Sequence, residues 1–122
     1  MDLTPLIPQG RQIITGYGNG GFKINHEWLE GSLLVFIDHR LAWNVRDVVQ
    51  ITLDTLQPVL ESEIDLLLIG TGKTMLTPDA ALRPALKAKG IALEIMDTGA
   101  ACRTFNVLLG EERRVAAALI VI

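Results

Sequence analysis

The sequence is poor in the residues that most chemistry needs. It has one cysteine, Cys102, and two histidines, His26 and His39, in 122 residues. A single thiol rules out an intrachain disulfide, which suits a reducing compartment. Neither histidine stands at metal-ligand spacing from Cys, Asp or Glu, so no metal site is expected. Basic charge is also scarce. The 11 Lys and Arg against 14 Asp and Glu leave a net charge of −3, which argues against a nucleic-acid footprint. Arg113 and Arg114, the adjacent basic pair, read as a solvated face. The longest apolar run, Val115–Ile122, falls far short of the roughly 20 residues that cross a bilayer, so no membrane insertion is expected. MDLTPLIPQG lacks both the apolar core of a secretory signal and the arginines of a mitochondrial presequence. The expected location is the cytoplasm.

A phosphate loop is missing too, although "LLLIGTGKTM" at 66–75 imitates one. The G-x-x-x-x-G-K-[ST] pattern puts its first glycine at the position of Leu67, and its Lys-Thr must open a helix directly. Here Met75, Leu76 and Thr77 intervene before Pro78. Both failures argue against nucleotide hydrolysis, and no cofactor is expected.

What the sequence does hold is a core. Apolar residues make up 49% and charged residues 20%, the balance of one globular domain over residues 1–122. Pro5 and Pro8 predict an irregular arm over residues 1–10. Arg11–Thr15 reads as a strand, "GYGNGG" as a tight reversal, and Phe22 and Ile24 as one buried face of a second strand. "NHEWLEG" reads as a turn that leaves Trp28 as the exposed tryptophan, with Trp43 a buried anchor. Leu33–Ile37 and Leu41–Val45 follow as strands. After residue 50 helices and strands alternate: a short helix over Thr52–Leu60 limited by Pro58, and a strand at Asp65–Gly70. Thr77-Pro78-Asp79 opens a helix that stops at Gly90. Ile91–Met96 is the next strand. A helix from Thr98 turns Ala101, Cys102, Phe105, Leu108 and Leu109 inward and ends at Gly110. Val115–Val121 is a last buried strand. The fold class is α/β, a single domain with N-terminal antiparallel hairpins and a mixed sheet.

Residues 94–122, "EIMDTGAACRTFNVLLGEERRVAAALIVI", together with "LLLIGTG" at 66–72 and "F..N....EGSLLVF" at 22–36, resemble an α/β family of the DUF type. That family is found in bacteria, archaea and eukaryotes. It includes the mitochondrial complex I assembly factor three-like proteins and an adipogenesis-associated protein. The resemblance implies a three-layer fold around a central mixed sheet, and a role through protein contact rather than a demonstrated reaction. The family commonly has glycine where Glu112 stands, and that departure is expected to alter a turn.

The candidate site follows from the same stretch. Gly70, Thr71 and Gly72 lie where an apolar strand leaves the sheet, and Asp97 and Thr98 lie at a strand-to-helix junction that needs caps. Arg103 sits early in its helix, where the dipole disfavours a cation, which calls for a carboxylate or a bound partner. Asn106 lies one turn further on. Parallel neighbouring strands would let Arg103, Thr104 and Asn106 line one crevice with Gly70–Gly72. Cys102 has no base to activate it and reads as a buried thiol. The leading expectation is therefore a non-catalytic binding or assembly protein with a protein partner. The alternative is a small-anion-binding domain or an enzyme using that crevice.

Overall fold

The computed structural model describes residues 10–122. The arm predicted over residues 1–10 thus falls, apart from Gly10, outside the described residues. Two-residue turns organise the N-terminal part. β1 (Ile14–Gly18) and β2 (Gly21–Ile24) meet at Asn19-Gly20, and β2 and β3 (Glu27–Glu30) meet at Asn25-His26. All four turn residues have positive φ (53°, 84°, 51° and 69°), the backbone that matches a hairpin's right-handed twist. Two expectations need correction. The first strand is Ile14–Gly18 rather than Arg11–Thr15, with an irregular register between Ile14 and Gly16. "NHEWLEG" turns only at its first two residues, because Ile24 already pairs with Glu27; Trp28 stands on β3, half-exposed.

The second sheet has five strands in the order β5-β4-β8-β6-β7: β4 (Leu33–Val35), β5 (Arg40–Ala42), β6 (Leu66–Gly70), β7 (Ala92–Met96) and β8 (Val115–Leu119). β6 runs parallel to β7 and β8, while β4 is antiparallel to β5 and β8. Its central strands are buried on both faces, and their residues alternate between two cores. Leu34, Leu67, Ile69, Ala116 and Ala118 face one core, with Leu82 and Leu86 of α2 (Leu82–Lys87) and Val59 of α1 (Gln57–Leu60). Leu33, Val35, Leu68, Ala117 and Leu119 face the other. There they meet Cys102 and Phe105 of α3 (Thr98–Gly110) and Phe22 and Ile24 of the small sheet. The helices take opposite faces because β7 lies on one side of β6 and β8 on the other, and right-handed crossovers in opposite directions cover opposite faces. The three layers around a mixed sheet are those expected; the hairpins of residues 14–30 form a sheet of their own.

Helix boundaries differ from the sequence reading. α2 begins at Leu82, not at Thr77-Pro78-Asp79. Pro84 explains the shift: it lacks an amide hydrogen and belongs in a first turn, so a helix from Pro78 would carry it in the interior. The Asp79 carboxylate instead accepts from the Ala81 amide at 2.9 Å. Only Gln57–Leu60 of the expected Thr52–Leu60 is helical. The end of α3 keeps its left-handed turn without glycine: Glu112 has φ 58°. The Arg113 amide donates to the Leu108 carbonyl (3.0 Å) and the Glu112 amide to Leu109 (3.1 Å), the paired bonds of a Schellman end. Gly110 is the last helical residue, where the sequence placed the end of the helix.

Candidate functional site

The connection leaving β6 crosses to the α2 face, and the one leaving β7 to the α3 face. In open α/β sheets this divergence at the carboxyl ends of neighbouring strands is where ligands bind. Here the protein's own groups fill it. A Cβ on Gly70 would stand 2.9 Å from the Thr98 Cα and 3.2 Å from the Ala101 Cβ, so only glycine lets α3 seat against the end of β6. Thr98 is fully buried. Its hydroxyl accepts from the Gly72 amide (2.8 Å) and donates to the Ile120 carbonyl (2.7 Å), and its amide donates to the Gly72 carbonyl (2.9 Å). Gly72 makes these bonds at φ 104°, a conformation that favours glycine. Thr71 is buried as well; its hydroxyl donates to the Thr74 carbonyl and accepts from the Leu76 amide, folding residues 71–76 over the strand end.

Asp97 is the cap of α3, its carboxylate accepting from the Ala100 amide at 2.9 Å, and Thr98 is the first helical residue rather than the cap. Further along, α3 addresses the small sheet. Asn106 accepts from the Ile14 amide (3.0 Å) and donates to the Ile14 carbonyl (2.8 Å), taking the place of a neighbouring strand. The exposed Arg103 donates to the Tyr17 hydroxyl at 2.9 Å. Among the described residues it forms no ion pair. Tyr17 lies over Gly99, whose absent Cβ would meet the tyrosine oxygen at 2.7 Å. Thr104 is half-buried on the same helix. The structure therefore groups Gly70, Thr71, Gly72 and Thr98 with Asp97 at the helix start, and directs Arg103 and Asn106 to β1. The sequence reading missed Tyr17; its one signal was an aromatic between Gly16 and Gly18, in a stretch read only as a turn.

The remaining reactive groups are placed as follows. Lys73 is exposed on an extended loop, and the next helix begins only at Leu82, so residues 70–74 lack the geometry of a phosphate loop. Burial pushes the Cys102 thiol up to about 12, and the neighbouring Arg103 charge offsets only part of that. His39 stacks on Phe36 with ring centroids 4.3 Å apart and lies 2.7 Å from the Asp38 carboxylate; this hydrogen bond holds the Asp38 pKa below its ordinary value. Among the described residues, no three His, Cys, Asp or Glu side chains converge as a metal site.

A three-stranded hairpin sheet, a five-stranded mixed sheet and a helix end sealed onto a Gly-Thr-Gly strand end define a small α/β class, the Mth938-like fold. A solved Bordetella pertussis protein described as an Mth938-like domain is 26% identical, with a TM-score of 0.82 over 98% of this chain and 92% of that one. A Bartonella henselae protein described as an outer membrane protein is 41% identical, with a TM-score of 0.84 over 92% of this chain and 96% of that one. The chain belongs to the family described as "Protein of unknown function (DUF498/DUF598)", whose model matches residues 14–120. The Drosophila melanogaster NADH dehydrogenase (ubiquinone) 1 alpha subcomplex assembly factor 3 is 41% identical over 113 residues, 88% of this chain and 58% of that protein. The chain spans about 60% of the length of the curated relatives it matches first. No helix among the described residues is long and apolar enough to cross a membrane.

Proposed function

We propose that this protein is a non-catalytic assembly factor that holds a protein partner during construction of an NADH–quinone oxidoreductase, and that it works in the cytoplasm. The observation that carries this reading is the sealed strand-end crevice. Thr98, Gly72 and Ile120 satisfy one another where open α/β sheets commonly hold a ligand. The names of its relatives supply the partner class. What stays accessible of the site is its outer part, Arg103 with Tyr17 and Thr104, and this is the partner contact. Gly70, Thr71, Gly72, Asp97, Thr98 and Asn106 support it from behind. A small anion at Arg103 is the weaker reading, since neither Gly72 nor Thr98 has an amide turned towards it.

Depletion in the organism that carries the gene should lower the assembled oxidoreductase on native gels while its subunits are still made. Re-expression of Arg103→Met, whose stability should match the parent, should restore assembly only weakly. Unchanged oxidoreductase after depletion overturns the assembly role, and recovery of the protein in an outer-membrane fraction overturns the location.

A further inference from the structure

We propose that the outer edge of β7 receives an extended, acidic segment of a partner protein as an added strand. This rests on the reading that the protein works by contact, and it names a surface separate from Arg103. Backbone parity identifies the open groups. The Ala92 amide donates to Asp65 and the Met96 carbonyl accepts from Thr71, each at 2.9 Å, so residues 92, 94 and 96 turn their backbone groups to β6. Leu93 and Ile95, between them, turn theirs outward. The Ile91 amide is satisfied by the Leu86 carbonyl, and the Leu93 carbonyl accepts from Arg83 Nη1. The Leu93 amide and both backbone groups of Ile95 have no partner among the described residues. An edge left this way is a template for another strand unless charge, proline or a bulge blunts it.

The charge beside the edge selects the occupant. A cleft of about 450 Å3 between α2 and β7 is lined by Asp65, Arg83, Lys87, Leu93 and Glu94, among others. Arg114 already engages Asp65 through two bonds of 3.0 and 2.8 Å. Arg83 and Lys87, one helical turn apart, then outweigh Glu94. The Arg83 guanidinium has further N–H groups to offer, and the Leu93 carbonyl has a second lone pair for a strand amide, so Arg83 marks the edge without blocking it. Side chains two apart on an incoming strand share a face, so acids at alternate positions would meet both cations.

The test titrates the isotope-labelled full chain with acetyl-Val-Glu-Val-Glu-Val-amide and with its lysine counterpart. The acidic peptide should shift the Leu93 and Ile95 amide resonances and slow their hydrogen exchange, and the lysine peptide should not. The double variant Arg83→Gln, Lys87→Gln should bind the acidic peptide about tenfold more weakly, the scale of two exposed ion pairs. Equal responses to both peptides, or shifts confined to other residues, overturn the inference. So does a concentration-dependent shift of the same amides in the free protein, which would put a second copy on the edge. Absence of any peptide response with impaired oxidoreductase assembly after depletion removes this inference alone. A β7 response with normal assembly removes only the assembly role.

Discussion

Thr98 ties three elements together through one oxygen: its own helix, the Gly72 turn and the Ile120 end of β8. Thr98→Val keeps the shape and deletes both hydroxyl bonds, leaving a buried amide and a buried carbonyl unsatisfied. It should cost roughly 2–4 kcal/mol in urea denaturation. A loss of only a few tenths would mean that the strand end reseals without the hydroxyl. Cys102 makes a different demand. Its folded pKa of about 12 lies above an ordinary 9.0, so the unfolded chain gives up the thiol proton first as pH rises. Above pH 9 the unfolded state binds fewer protons than the native one, and stability falls, by at most about 1.4 kcal/mol per pH unit, until the native thiol ionises. Below pH 9 this contribution is constant. Cys102→Ala should therefore narrow its stability gap from the parent between pH 9 and 11. A gap that stays constant across that range contradicts the buried, unassisted thiol.

Among the elements, α3 was the most legible in the sequence, its bounds Thr98 and Gly110 included, and the turn that follows it was the least. The inward spacing of Ala101, Cys102, Phe105 and Leu109 is a helical stripe whatever surrounds it, and all four are buried. The turn after it is set by backbone closure, which has no side-chain signature when Glu112 rather than glycine occupies the left-handed position. Glu112→Gly should accordingly raise stability by about 0.5–1 kcal/mol, since an L residue there is strained and glycine is not. A destabilised variant would show that the Glu112 side chain has a role of its own. The false start at Thr77 has a local cause as well: Pro84 vetoes the longer helix, and a reading centred on Pro78 overlooked it. Asn106 was grouped with a crevice because helical spacing says which residues share a face. It cannot say that a separate hairpin sheet lies across that face to receive the amide at Ile14.

At the scale of the molecule, one sheet serves two cores, and adjacent residues of β4, β6 and β8 feed opposite ones. Neither face can come apart without the strands that line the other. Phe105, fully buried on the α3 side, should on conversion to Ala cost about 3–5 kcal/mol, because the rigid sheet cannot collapse into the space. The loss should appear equally in far-ultraviolet circular dichroism and in the emission of Trp43, which lies in the opposite core, recorded in a Trp28→Phe background. Separate midpoints for the two signals would mean that the faces unfold independently. The same architecture explains why the layers were legible: runs apolar at every position, such as Leu66–Ile69 and Val115–Ile120, announce strands covered on both sides. That the hairpins would leave that sheet was not, because Phe22 and Ile24 alternate identically whichever sheet they join.

The placement of β8 also bears on synthesis. Leu33 pairs with Leu119 and Leu66 with Val115, so the strand made last among the eight sits between partners made much earlier. A ribosome that has released residues 10–110 has delivered two hairpin pieces and a β6–β7 pair with no central strand to join them. Their apolar edges wait in the open until residues 115–119 clear the exit tunnel. Completion of the five-stranded sheet is therefore tied to the arrival of β8, and a nascent chain stalled short of Val115 exposes the edges of β4 and β6, the kind of unpaired strand edge that chaperones shield.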